Sequence, residues 1–144
     1  MGCDSANEVV DGAFSATYPS ISRWLNPGDC TPSSTALCLN TGRFKVTATF
    51  DAGSSGSGDA QVVRLTPDTG YLWFFANSNV EAVIKVLNGC SFGGYYWVFA
   101  GGLTNVNVVM TVTDTQTGTK KSYTNPPNTT FQPIQDTAAF ATCP

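Results

Sequence analysis

The sequence predicts an all-β fold: an antiparallel two-sheet β-sandwich, immunoglobulin-like or jelly-roll-like, with an irregular N-terminal arm. Three observations predict it. Apolar and polar residues alternate in several separate stretches, clusters of Gly, Asp, Asn, Ser and Pro punctuate them, and no dozen residues carry a 3.6-residue period. In "RFKVTATF", Phe44, Val46, Ala48 and Phe50 share one face, and Arg43, Lys45, Thr47 and Thr49 share the other. "NVEAVIKVL" turns Val80, Ala82, Ile84 and Val86 inward and Glu81 and Lys85 outward. "NVNVVMTVT" repeats the pattern, with Val106, Val108, Met110 and Val112 inward and Asn105, Asn107, Thr111 and Thr113 outward. The turns between strands are "DAGSSGSGD", "TPDTG", "NGCSFGG" and "DTQTG", the last a hairpin returning through "TKKSY". Short strands at this spacing, each with one apolar face, bury those faces by packing two sheets together.

Residues 1–36 differ in kind. Polar and turn-forming residues predominate, with Phe14, Tyr18, Ile21, Trp24 and Leu25 available to pack. They are expected to dock on the sandwich of residues 37–144, adding an edge strand around "VVDGAFSATY" that covers an open sheet edge. The tail "NPPNTTFQPIQDTAAFATCP" reads as irregular, and Pro126, Pro127 and Pro133 exclude a central strand there.

Composition bounds the function. At 144 residues and 42% hydrophobic, the chain is long enough for one core. Only 12% of residues are charged, about half the usual share, so hydroxyls and amides carry the surface. The formal charge is −3, and the seven Lys and Arg residues are scattered, with only Lys120 and Lys121 adjacent. Such a chain offers no basic stripe for a row of phosphates, which argues against nucleic acid. No apolar run is long enough to cross a bilayer, and the isolated module is expected to be a monomer.

Five cysteines and no histidine leave few metal arrangements, since C-x-x-C pairs and mixed thiolate–imidazole spacings are absent. No cofactor is expected, although loop carboxylates and carbonyls leave room for a structural calcium. Disulfides fit a low-charge β protein outside the cytosol, secreted or on a cell surface. Cys30 is paired with Cys38 around "CTPSSTALC", and Cys90 with Cys143, stapling the tail to the body; other pairings remain open at this level. Cys3 is either a free thiol or the acylated cysteine of a lipoprotein whose leader has been removed.

"LCLNTGRFKVTATF", "LTPDTGYLWFFANSNVEAVIKVLNG", "YYWVFAGGLTNVNVVMTVTDTQTG" and "YTNPP" together resemble a β-rich accessory module that recurs, often towards the C-terminus, in large secreted proteins of environmental bacteria. The resemblance spans residues 30 to 144. It implies a secreted bacterial module without an active site, and it supplies no functional residues; the arm lies outside it.

Two aromatic clusters carry the functional question. On "YLWFFA", Tyr71, Trp73 and Phe75 alternate with Leu72, Phe74 and Ala76; on "YYWVFA", Tyr95, Trp97 and Phe99 alternate with Tyr96, Val98 and Ala100. Both faces of both strands are apolar, yet only one face of each can look into a two-layer core. If Leu72, Phe74, Val98 and Ala100 are core, then Tyr71, Trp73, Tyr95 and Trp97 form an outer aromatic platform. Sugar rings stack on such a surface, with neighbouring amides and hydroxyls taking their hydroxyl groups. In the opposite parity the tryptophans are core, and the arm, through Tyr18 and Trp24, covers the other face.

Catalysis has less to build on. Without histidine there is no Ser-His-Asp or Cys-His site. Nearly all the carboxylates that a glycosidase pair would need, among Asp51, Asp59, Asp68, Glu81, Asp114 and Asp136, sit in turns, where they serve as local backbone acceptors. The chain is therefore read as a non-catalytic module that binds polysaccharide or another extracellular surface, or as a structural or adhesive sandwich with no small-molecule ligand.

Overall fold

The computed structural model describes residues 29–144. The expectations for Cys3, Tyr18, Trp24 and the edge strand of the arm lie outside the described residues.

The fold is a two-sheet antiparallel β-sandwich with five strands in each sheet. Sheet 1 contains β1 (Leu37–Leu39), β2 (Phe44–Asp51), β3 (Ser57–Asp59), β8 (Asn107–Asp114) and β9 (Lys120–Asn125). Its order is β1-β2-β8-β9, and β3 shares the β1 edge of β2. Sheet 2 contains β4 (Gln61–Thr66), β5 (Thr69–Trp73), β6 (Ala82–Gly89), β7 (Tyr95–Gly102) and β10 (Ile134–Phe140), in the order β10-β7-β6-β5-β4. The chain changes sheets at Ala60, whose methyl is fully buried.

Alternation places the core as expected on β2, β6 and β8. Phe44, Val46, Ala48 and Phe50 meet Ala82, Ile84 and Val86 and Val108, Met110 and Val112 in one cluster. Each large side chain removed from water here contributes about 1.5–3 kcal/mol. Glu81 departs from the pattern. Expected outward, it is buried, because the chain leaving β7 closes over it: Leu103 N–H donates to Glu81 O at 2.8 Å, and Asn79 Nδ2 donates to its carboxylate at 3.1 Å.

The tail also departs from expectation. Seven of its residues form β10, which starts just after Pro133 and lies at the edge of sheet 2, where a missing N–H costs no ladder bond. Residues 29–36, grouped with the arm by composition, are laced to the sandwich: Cys30 N–H donates to Gly42 O at 3.2 Å, and Val62 N–H to Ser34 O at 2.9 Å.

The two disulfides are Cys30–Cys38 and Cys90–Cys143. Both lie at the same end of the sandwich as a buried ion pair. Arg43, at the start of β2, donates to both carboxylate oxygens of Asp114 at the end of β8, at 3.0 and 2.9 Å. It also donates to Tyr96 Oη at 3.1 Å and to Thr142 O at 2.7 Å, so one guanidinium ties sheet 1, β7 and the C-terminal residues together. At the opposite end are the turn after β2, the segment after β5, the β7–β8 connection and the loop after β9.

Candidate functional site

The inner residues of β5 and β7 are Leu72, Phe74, Tyr96, Val98 and Ala100, all buried. Tyr71, Trp73, Tyr95, Trp97 and Phe99 therefore point to the outer face of sheet 2, where each is half-buried.

The two outer faces of the sandwich differ sharply. Across β2, β8 and β9, sheet 1 presents the rows Lys45–Thr113–Lys120, Thr47–Thr111–Ser122 and Thr49–Val109–Thr124. Across sheet 2 the rows are Val63–Tyr71–Val83–Gly101, then Thr69–Lys85–Phe99–Gln135, then Leu87–Trp97 and Gly89–Tyr95. Sheet 1 shows mainly hydroxyls and amines to water, with Val109 the exception, whereas sheet 2 shows mainly rings and aliphatic side chains, with Thr69, Lys85 and Gln135 in one row.

Register separates the four aromatics picked from the sequence. Tyr95 and Trp97 are neighbours on one face of β7, and Tyr71 and Trp73 are neighbours on β5, but β6 runs between the pairs. Tyr71 is level with Val83 and Trp97 with Leu87. Trp73, two residues beyond Tyr71, is thus about 20 Å along the strands and about 10 Å across them from Trp97. The four do not share one platform. Tyr71 is further tied down, its hydroxyl donating to Asn77 O at 3.1 Å.

The denser cluster forms around Trp97. Its indole lies over Gly89, where no Cβ could fit. Phe92 stands 6.0 Å away, tilted by 42°, and Phe99 meets Trp97 edge-on at 6.1 Å. Phe92 is 79% exposed, the most exposed large apolar residue among those described. Lys85 places its ammonium 5.9 Å from the Phe99 ring centre, and Gln135 flanks Phe99 from β10. Beside Phe99 a shallow trough of about 470 Å³ runs between Val83, Lys85, Pro133 and Gln135 over Gly101, where open space replaces a side chain. Phe92, Phe99, Lys85 and Gln135 thus join Tyr95 and Trp97. The rings of Phe92 and Phe99 were visible in the sequence as flanks of the second cluster, but Lys85 and Gln135 could be found only through the register of β6 and β10.

The carboxylates are engaged in structural contacts, locally at Asp51 and Asp68 and across the fold at Asp114 and at Asp136, which lies within β10 rather than in a turn. Asp68 accepts from the hydroxyls of Thr66 and Thr69, and Asp51 from Gly53 N–H. Asp136 accepts from Tyr123 Oη at 2.7 Å and pairs with Lys121 at 3.1 Å. Burial, then this carboxylate, pushes the Tyr123 hydroxyl pKa up. Burial alone would raise the Asp114 carboxyl, but hydrogen bonds from Arg43, Thr142 and the Gln116 N–H, with the Arg43 charge, together outweigh it and hold the group below its ordinary range. Glu81 is pushed up by burial, against the opposing hydrogen bond from Thr104. Among the described residues, no three His, Cys, Asp or Glu side chains gather as a metal site would require, and no helix is long and apolar enough to cross a membrane.

No family model matches the chain, and no curated protein or solved structure matches it.

Proposed function

We propose that this chain is a non-catalytic, carbohydrate-binding module of a secreted bacterial protein. Its outer aromatic face on sheet 2, centred on Trp97, would rest against polysaccharide. The observation that carries this reading is the contrast between the two outer faces. Trp97, with Phe92 tilted and Phe99 edge-on beside it, offers an aromatic surface to the C–H groups of sugar rings, and Lys85, Gln135 and Thr69 stand alongside to take hydroxyl groups. The two disulfides are compatible with an extracellular setting. Incubating the protein with insoluble cellulose, xylan and chitin tests the reading: retention on at least one of them is expected, and recovery of all protein in the unbound fraction from all three would overturn it.

A second reading, an adhesive or spacer sandwich whose sheet 2 face packs on a neighbouring protein, is favoured by Val83, which is 43% exposed and offers nothing to a sugar hydroxyl. Concentration-dependent self-association that masks Trp97 fluorescence, with no polysaccharide retention, would select it.

A further inference from the structure

At the end of the sandwich away from the disulfides, four connections surround a concavity of about 430 Å³ that is separate from the outer aromatic face. Its apolar wall is Phe75, a residue 52% exposed. That ring is held in place: it meets Phe50 edge-on at 5.3 Å and Phe74 at 6.3 Å, while Phe50 and Phe74 stack at 4.5 Å. The core thus ends in three aromatic rings, and the outermost one faces the concavity.

The polar wall is equally fixed. Asp51, which lines the cavity, accepts Gly53 N–H through Oδ1 at 2.9 Å, and its other oxygen has no hydrogen-bond partner among the described residues. Asn107 donates to Asn125 O at 2.8 Å and keeps its own side-chain carbonyl available. Buried Asn125 donates to Val106 O at 2.9 Å and to Thr129 O at 2.8 Å, setting the loop that carries Pro127 and Asn128. Asn128 adopts a left-handed φ of 54°, and Thr129 N–H donates to Asn105 O at 3.3 Å. Three asparagines, Asn105, Asn107 and Asn128, thus line the same cavity as Asp51 and Phe75.

We propose that this cavity is a binding site for a single neutral sugar ring, such as the end of a glycan chain. The ring edge or face packs on Phe75, and its hydroxyls are shared among Asp51, Asn105, Asn107 and Asn128. Among the described residues the lining contains no Lys or Arg to neutralise a phosphate, sulfate or uronate, and the Asp51 carboxylate repels them. Amides and a carboxylate match hydroxyl groups, which both donate and accept. The volume falls within the range of small-ligand pockets. The site stands on its own observations: it can fail while the outer face binds polysaccharide, or hold while the outer face does not.

The test is an amide chemical-shift titration of the whole chain with glucose, mannose, galactose, xylose and N-acetylglucosamine, and with glucuronate as the charged counterpart. Saturable shifts at residues 51–55, 75, 105–107 and 128 are expected with at least one neutral sugar, with glucuronate weaker. Asn128→Gly keeps the left-handed backbone and removes the amide, so it should weaken binding severalfold with the fold intact. Phe75→Ala should weaken it on the order of tenfold. Trp97→Ala should leave it unchanged. No shifts at these residues with any neutral sugar, glucuronate binding as well as glucose, or unaltered affinity in Asn128→Gly and Phe75→Ala would overturn the proposal.

Discussion

The indole of Trp97 lies over the Cα of Gly89, its cross-strand diagonal neighbour, in a space where no Cβ could fit. The absence of a side chain at residue 89 is what lets the ring lie against the sheet and offer its far side outward. Gly89 has an ordinary negative φ of −96°, so alanine is acceptable to the backbone and only the ring must move. Gly89→Ala is expected to cost about 1–3 kcal/mol, as overpacking does. It should also increase iodide quenching of tryptophan fluorescence and weaken polysaccharide retention. Unchanged quenching and retention would mean that the ring's seating does not matter.

The Arg43–Asp114 pair is buried, with Asp114 inaccessible to water. Arg43→Met leaves that carboxylate without its cation and should lower stability by about 3–5 kcal/mol in denaturant titration. The double variant Arg43→Met, Asp114→Leu should recover part of the loss, because no buried charge then lacks a partner.

Two groups of carboxylates give pH dependence of opposite sign. Asp114 and Asp136 titrate below their ordinary value of 3.8 in the folded protein. Their contribution is complete above that value and is lost as pH falls through the depressed one, so melting temperature should drop in strong acid. Glu81 titrates above its ordinary 4.5, which makes its ionised form a liability at neutral pH. Glu81→Gln should therefore raise the melting temperature at pH near 7 and change nothing once pH lies well below 4.5, where the native carboxyl is protonated in both states. A stabilisation that persists in acid would contradict this assignment.

Much of this could be read from the sequence where one strand face is apolar and the other polar, as on β2 and β8: alternation there gave both the strand and its inward side. On β5 and β7 both faces are apolar, and only pairing with β6 in a five-stranded sheet decides that Leu72 and Val98 are core while Trp73 and Trp97 are outside. The distance between those tryptophans follows from the register of β6, which no local pattern encodes. Arg43 and Asp114 are 71 residues apart, and the rings and amides of the end cavity come from four connections, so neither grouping had a linear signature. β10 was hidden because Pro133 precedes it and small Ala138 and Ala139 blur its alternation.

The Cys90–Cys143 bond joins residues 53 apart. Chain-entropy reasoning assigns about 4 kcal/mol to a loop of that size and about 2.5 kcal/mol to the shorter Cys30–Cys38 loop. Cys90→Ala with Cys143→Ala should lower the melting temperature more than Cys30→Ala with Cys38→Ala. Equal losses would point to an additional role for the shorter loop.

Retention on polysaccharide and melting temperature, measured together for Trp97→Ala and Phe74→Ala, distinguish an outward-facing, ligand-bearing Trp97 from a core Phe74. Trp97→Ala should lose retention on the polysaccharide that holds the native protein, at a stability cost of only about 1–2 kcal/mol for a half-buried ring. Phe74→Ala should cost about 3–5 kcal/mol, as a core truncation does, and keep its retention while folded. Retention undiminished in Trp97→Ala, or lost only when the domain unfolds, would show that polysaccharide does not rest on Trp97.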